Sequence, residues 1–357
     1  MLASLVAGAL FAVHGSHAEP VCWTDARFDL LATLFVLTAL LCFLQYATKE
    51  SKWLWLAAGL LCSALALASK ESSFSLPFLM LALLLFYSGE ERRRLAHAIP
   101  TLLAVCCLLF AYRWWLIGGI GGYETNGRAD VLNFSLLRSA KALFWRTWAL
   151  LFFPINWASG TGVWLSVGTV AFLLALAIAL VKTHMDRRTA FVSLAFTFAA
   201  CLPVQHLLLL GSDAAGSRLL YLPSVGFSLL WAAVIEANGG KPLIQVSAAA
   251  GLMLFNMAAL EHNIHAWREA AQAAQQVCRS FGREIANEPG TVIVAGVPSM
   301  YRGVYFLSHG FPACVEQNSG VPASRIQVAE GGVKTPPQAP LFHWNENTVT
   351  FQRAPAP

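Results

Sequence analysis

Long apolar runs alternate with short charged linkers over most of the chain. Residues 30–48, 53–69, 72–89, 95–112, 147–181, 189–212, 219–235 and 242–260 contain no Asp, Glu, Lys or Arg. Each run reaches or approaches the ~20 residues with which an α-helix crosses the hydrocarbon of a bilayer. None has the alternation of a barrel strand, and in lipid only helices and closed barrels satisfy every backbone amide. The pattern predicts an all-α polytopic membrane domain over residues 1–260, with about nine spans once the apolar stretch 1–13 is read as a helix. The run 147–181 is interrupted by Pro154, Asn156, Gly160 and Gly162, and its pattern fits one crossing or two. Residues 261–357 hold no run of comparable length and read as a small soluble α/β domain, with a helix over 261–281, a strand over 291–295 and a loop over 333–340.

Composition narrows the class. The 357 residues are 57% hydrophobic and only 12% charged, with a mean hydropathy of +0.58. A soluble domain carries about a quarter charged residues, so a cytosolic globular enzyme is excluded. The net charge of +5 does not make a nucleic-acid surface: Arg92–Arg94, Lys182, Arg187 and Arg188 sit in short linkers, and the tail carries seven basic against seven acidic residues. With linkers 48–52, 88–97, 182–189 and 237–242 in the cytoplasm, nine basic residues collect there, against Arg27, Lys70 and Arg218 in the opposite loops. That asymmetry puts the acidic loops on the non-cytoplasmic side and, by parity, the tail with them. The first 13 residues lack the positively charged start of a signal peptide. Cys42, Cys62, Cys106, Cys107 and Cys201 lie in apolar runs and read as small hydrophobes, no CxxC is present, and a Cys278–Cys314 disulfide fits an exported tail.

The densest polar constellation is the first loop, His14-Gly-Ser-His17-Ala-Glu19-Pro-Val-Cys-Trp23-Thr-Asp25-Ala-Arg27-Phe-Asp29. Two histidines, three acids and an arginine between two apolar segments are costly near a membrane unless they pair, ligate or meet a polar substrate. A solvated interfacial loop is the competing reading. Imidazole and carboxylate leave room for a divalent metal, although Glu19 falls off the face shared by His14 and His17 and no HExxH occurs, so no cofactor or metal ligand is assigned. Two more clusters fall on the same side. Ser69-Lys70-Glu71 is a tight charged hairpin or a phosphate contact, and Gly216-Ser-Arg218-Leu-Leu-Tyr221-Leu-Pro223 is a snorkelling arginine or a specific phosphate fork. Tyr112-Arg113-Trp114-Trp115 reads as an interfacial belt, the glycine-rich 118–123 lacks the lysine of a phosphate loop, and 132–144 fits a surface helix whose Arg138 and Lys141, with nearby Arg146, face headgroups.

These residues in this order resemble the GT-C type membrane glycosyltransferases, nearest to the transmembrane O-mannosyltransferase-like, tetratricopeptide-associated group. The resemblance rests on Phe11-Ala-Val-His14, His17-Ala-Glu19, Arg27-Phe-Asp29-Leu-Leu-Ala-Thr-Leu-Phe, Ser69-Lys70-Glu71 and Arg218-Leu-Leu-Tyr221-Leu-Pro223-Ser-Val-Gly226-Phe, and spans residues 1–236. It implies a GT-C-like helical bundle that moves one sugar from a polyprenyl-phosphate-linked donor to a protein or glycan acceptor. The partners implied are that donor, the acceptor and the lipid bilayer, with no nucleic acid. A carboxylate, Glu19 or Asp25 here, takes the acceptor proton. His14, His17, Arg27, Asp29, Lys70, Glu71, Arg218 and Tyr221 contact substrate, with the lipid phosphate on Arg218 and Lys70. The implied location is a bacterial inner membrane with the tail in the periplasm.

The chain departs from the family pattern as well. It begins within what is the family's third helix, so the two preceding helices and the acidic loop between them fall outside this sequence. Gly15 stands where a proline is usual, and no tetratricopeptide repeats follow. The alternative is an inactive or partial relative acting as a lipid-binding membrane scaffold. A secondary transporter is disfavoured, because ionisable groups are nearly absent at mid-span.

Overall fold

The computed structural model describes residues 2–49, 52–119, 124–125, 128–129, 135–156, 162–182, 186–208, 215–237, 242–307, 310–329, 340–346 and 348–354. The chain divides into two compact units, Met1–Asn263 and Ile264–Pro357. The first is a helical membrane bundle, and the small strand-containing region is α/β.

The bundle is built from α1 (Leu2–Ala12), α2 (Ala18–Cys22), α3 (Arg27–Thr48), α4 (Lys52–Ser69), α5 (Leu76–Leu84), α6 (Gly89–Ile117), α7 (Leu136–Lys141), α8 (Thr147–Phe152), α9 (Gly162–Lys182), α10 (Arg187–Cys201), α11 (Pro223–Ala237) and α12 (Pro242–Ile285), the last continuing past residue 263. A short antiparallel pair, β1 (Glu124–Thr125) and β2 (Arg128–Ala129), lies between α6 and α7. Among the described residues three helices, Thr24–Thr48, Gly89–Ile117 and Pro242–Ile285, are long and apolar enough to cross a membrane. Five shorter apolar helices accompany them. This is fewer full-length helices than the apolar runs predict, because freedom from charge does not guarantee an unbroken helix. Residues Glu71–Ser75 form a 3₁₀ turn, so α5 is left with nine residues behind Pro77. In the run 147–181 the helix stops at Phe152, residues 153–156 including Pro154 are not helical, and the next helix begins at Gly162. The loop reading over 333–340 lies, up to Pro340, outside the described residues, as do 120–123 of the glycine-rich stretch and 132–134 of the surface-helix reading.

One cluster holds α3, α4, α5, α6 and α10 together through Phe43, Leu76, Met80, Leu95, Leu102 and Phe196. Gly59 is what lets α4 approach Phe43, since a Cβ there would lie 3.0 Å from the ring. A second cluster packs Trp148, Leu151 and Phe152 against Val204, Leu220, Phe227 and Leu230. Residues 136–152 run as one helical stretch containing a π-helical turn, Ala142–Arg146, in which the Thr147 amide reaches the Ala142 carbonyl.

Helices α10 and α11 approach closely at Gly226. A Cβ at Gly226 would fall 2.5 Å from Thr197 Oγ1, 2.7 Å from the Ser193 carbonyl and 2.8 Å from the Thr197 nitrogen. Small residues at such crossings are how membrane helices gain packing. Gly226→Ala is therefore expected to destabilise the bundle by about 1–3 kcal/mol, read as an earlier unfolding midpoint in mixed micelles; an unshifted midpoint would show that the crossing is looser than this.

In the second unit, β3 (Val292–Ala295) is followed by the hairpin β4 (Met300–Tyr301) and β5 (Val304–Tyr305), then α13 (Phe311–Ser319), β6 (Ile326–Ala329), β7 (Leu341–Asn345) and β8 (Thr350–Arg353). The sheet order is β6-β3-β7-β8. β3 runs parallel to β6 and β7, with Val292 opposite Ile326 and Val294 opposite Phe342, and β8 is antiparallel to β7. Val292, Val294, Phe342 and Phe351 pack against Phe281 and Ile285 of α12 and Phe311 and Val315 of α13. A disulfide joins Cys278 to Cys314 within this core.

Candidate functional site

The first loop is folded, not draped in solvent. After α1 the chain turns through Gly15–His17, forms α2, and makes a second tight turn, Thr24–Ala26, before α3. His14, Ser16, His17 and Glu19 are each 1–4% exposed. His14 is extended at φ −62° and caps the turn with its own ring, Nδ1 accepting from the Ser16 amide at 3.3 Å. Its Nε2 lies 3.1 Å from the Leu151 carbonyl. A carbonyl only accepts, so Nε2 carries the proton and Nδ1 takes the Ser16 hydroxyl at 2.8 Å. The ring is neutral, and burial pushes its pKa down to about 4.

His17 is tied to the other side of the bundle. Ser224 donates to the Tyr221 carbonyl at 2.7 Å, so its oxygen accepts from His17 Nε2 at 2.9 Å. Burial first, and then neighbouring His14, hold His17 well below its ordinary value. Its ring stacks obliquely on Tyr221, with centroids 4.3 Å apart, and meets Phe11 edge-on at 4.9 Å.

Glu19 forms an ion pair with Arg218, the two side chains being 2% and 9% exposed. Gly216, at φ +81°, opens the turn Ser217–Leu220 that carries the arginine inward. The Ser217 hydroxyl donates to the second Glu19 oxygen at 3.1 Å, and the Trp23 ring lies 4.6 Å from the guanidinium carbon. Burial lifts the Glu19 carboxyl above its ordinary value, while Arg218 and Ser217 draw it back.

Asp29 and Lys70 form a second pair, at 3.7 Å, within electrostatic reach of Glu19, Glu71 and Arg218. The Asp29 side chain is 4% exposed and Lys70 27%. Asp29 Oδ2 has no hydrogen-bond partner among the described residues. Glu71 pairs with Arg113 of α6 at 2.5 Å. The structure thus gathers buried His14, His17, Glu19 and Arg218 together, with half-buried Tyr221 against His17 and with Asp29, Lys70 and Glu71 on the flank. Asp25, in the turn Thr24–Ala26, and Arg27, the first residue of α3, are exposed. Among the described residues no three His, Cys, Asp or Glu side chains converge as metal ligands would. Ser217, Ser224 and Trp23 are contributors that residue-by-residue reading passes over, and Arg113, read only as part of an interfacial belt, pairs with Glu71.

An apolar groove of about 530 Å³ runs between Phe153, Phe172, Trp231, Leu252 and Phe255. Its Phe153 end adjoins Pro154, whose carbonyl oxygen would lie 2.7 Å from a Cβ built on Gly15.

A family model described as dolichyl-phosphate-mannose-protein mannosyltransferase matches residues 3–116, which include α1 to α5 and nearly all of α6. Mouse (Mus musculus) protein O-mannosyl-transferase TMTC4 is 24% identical over 333 aligned residues, covering 77% of this chain and 45% of that protein. The human (Homo sapiens) protein of the same name is 26% identical over 333 residues, with the same coverage. The chain spans about half the length of the curated relatives it matches. No solved structure matches it.

Proposed function

We propose, starting from a chain that is GT-C type and O-mannosyltransferase-like, that it transfers mannose from a polyprenyl-phosphate-linked donor to a hydroxyl of a protein or glycan acceptor. The observation that carries this reading is Asp29: a buried carboxylate whose Oδ2 faces the quarter-exposed Lys70 at 3.7 Å but accepts no hydrogen bond among the described residues. Such a group is costly to keep unless a hydroxyl reaches it. Both oxygens of Glu19 are already engaged, one by the Arg218 guanidinium and one by the Ser217 hydroxyl, and Asp25 is exposed, so the geometry favours Asp29 as the proton acceptor.

In the step proposed, the acceptor hydroxyl passes its proton to Asp29 as its oxygen bonds to the anomeric carbon. The bond from that carbon to phosphate oxygen breaks, and polyprenyl phosphate departs with the electron pair. Lys70 meets the developing phosphate charge, and Arg113 lies behind it through Glu71. Arg218 sets the local potential and keeps Glu19 in place. The apolar groove beside Pro154 supports a donor with an isoprenoid tail. The acidic loops and the Cys278–Cys314 disulfide support a site and tail on the oxidising side of the membrane, the periplasm if the host is bacterial.

Binding of polyprenyl-phosphate mannose to the full chain in detergent, with transfer to a Ser/Thr peptide followed in parallel, tests this. Lys70→Ala is expected to weaken donor binding by about tenfold to a hundredfold, the worth of a charge-assisted hydrogen bond. Unchanged affinity would remove Lys70 from the phosphate site. Donor binding by the unmodified protein without any transfer would favour the lipid-binding relative instead.

A further inference from the structure

By its sequence the membrane part of α12 is only an apolar anchor, free of charge from 242 to 260. Two buried asparagines break that description. Asn256 and Asn263, each 3% exposed, stand seven residues apart on one face of the helix. Asn263 Nδ2 donates to the Gly15 carbonyl at 2.8 Å and to the Pro154 carbonyl at 2.6 Å, and its Oδ1 accepts from the Asn156 amide at 2.8 Å. Asn256 Oδ1 accepts from the Gly15 amide at 3.3 Å. Both backbone groups of Gly15 are thereby held by α12. The fit leaves no space for a side chain, since a Cβ at Gly15 would lie 2.7 Å from the Pro154 carbonyl and 2.8 Å from Ala259 Cβ.

The two segments bridged by Asn263 are the two partners of one site bond. Gly15 follows His14, and Pro154 comes three residues after Leu151, whose carbonyl receives the His14 ring proton. A span needed only as an anchor gains nothing from a buried amide that leucine would replace without desolvation cost. We propose that Asn263, assisted by Asn256, is a positioning residue that fixes the His14–His17 turn against the bend at 153–156, and so sets the geometry of the transfer site. The functional half of this proposal rests on the reading above; the positioning half does not.

The test joins amide hydrogen exchange with steady-state kinetics on the full chain, comparing Asn263→Ala with the unmodified protein. Exchange in residues 13–19 is expected to accelerate at least about tenfold, with α3 and α11 unchanged. Where the unmodified protein transfers mannose, kcat is expected to fall by about a hundredfold, as a displacement near 1 Å produces, while KM for the donor stays within about threefold. Unaltered exchange in 13–19 overturns the proposal, and so does accelerated exchange with unaltered kcat. If the unmodified protein shows no transfer, the functional reading fails and exchange alone decides the positioning. Should Asn263→Ala not fold, Asn263→Asp, which keeps the acceptor for Asn156 and loses both donors, and Asn256→Ala, which removes the Gly15 amide contact together with a bond to the Leu252 carbonyl of its own helix, are read by the same criteria.

Discussion

Arg218→Ala is expected to destabilise the folded protein by about 3–5 kcal/mol, the cost of leaving one member of a buried ion pair uncompensated. Glu19, 2% exposed in the native geometry, would be left with the Ser217 hydroxyl and the residue 218 backbone amide to hold its charge. The deficit has a pH signature whose sign is fixed. Burial already lifts the Glu19 carboxyl above its ordinary 4.5, and removing the guanidinium takes away the charge that drew it down. The native variant then binds a proton more tightly than its unfolded chain does, in the window from about 4.5 up to the raised value. Stability is greatest below that window and falls as pH climbs through it. Unfolding midpoints in mixed micelles at pH 5 and pH 8 should show the variant closer to the unmodified protein at pH 5. Replacing both partners, Glu19→Gln with Arg218→Met, should recover most of the loss, because a neutral pair of similar volume carries no stranded charge. A deficit that is flat with pH would mean that water reaches Glu19 once the arginine is gone.

Asp29→Asn should separate chemistry from folding. The substitution keeps shape and removes the negative charge, so transfer is expected to fall by about 10²–10⁴-fold, the range for a positioned general base. Donor affinity should move by less than about threefold, since the phosphate is assigned to Lys70 and not to Asp29. Stability should change little, because the desolvation cost of a buried carboxylate that accepts no hydrogen bond at Oδ2 among the described residues offsets its 3.7 Å ion pair with the quarter-exposed Lys70. A variant retaining full transfer would return the proton-acceptor role to Glu19 or to a group outside the described residues. A variant that loses stability and activity together would show Asp29 to be half of a structural pair with Lys70.

What could be read from the sequence follows the physics of each signal. Hydropathy reports desolvation cost one residue at a time, so the helical membrane bundle and the small α/β region that accompanies it were legible. The first loop was legible as a concentration of polar groups that must pair, and Arg218 and Lys70 as charges on the same side. Pairing itself was not, since Glu19 and Arg218 are 199 positions apart and nothing local joins them. Asp25 looked equivalent to Glu19 by proximity, yet the turn Thr24–Ala26 directs it to solvent. Asn256 escaped notice because an uncharged amide barely disturbs an apolar run, and Asn263 stands just past that run, in the stretch read as the first helix of the tail. In the tail, β3 was visible as Val-Ile-Val-Ala, whereas β7 and β8 mix Phe, Trp, His, Asn, Gln and Arg. Those two are held by register with their neighbours, which no single segment encodes.

The π-helical turn at Ala142–Arg146 bears on how such chains diverge. A π turn holds one residue more than the α turn it replaces, so this is where a relative can differ by a single inserted or deleted residue without losing helix on either side. Deleting one residue there would convert the wide turn to an α turn and leave α7 and α8 formed with their faces in the same phase, because the residue lost is the one the π turn absorbs. Trp148, Leu151 and Phe152 would keep their cluster, and the Leu151 carbonyl its place beside His14. A one-residue gap at this turn therefore leaves the floor beneath the first loop in place, whereas the same gap in the regular helix of α8 would rotate the residues after it by about 100°.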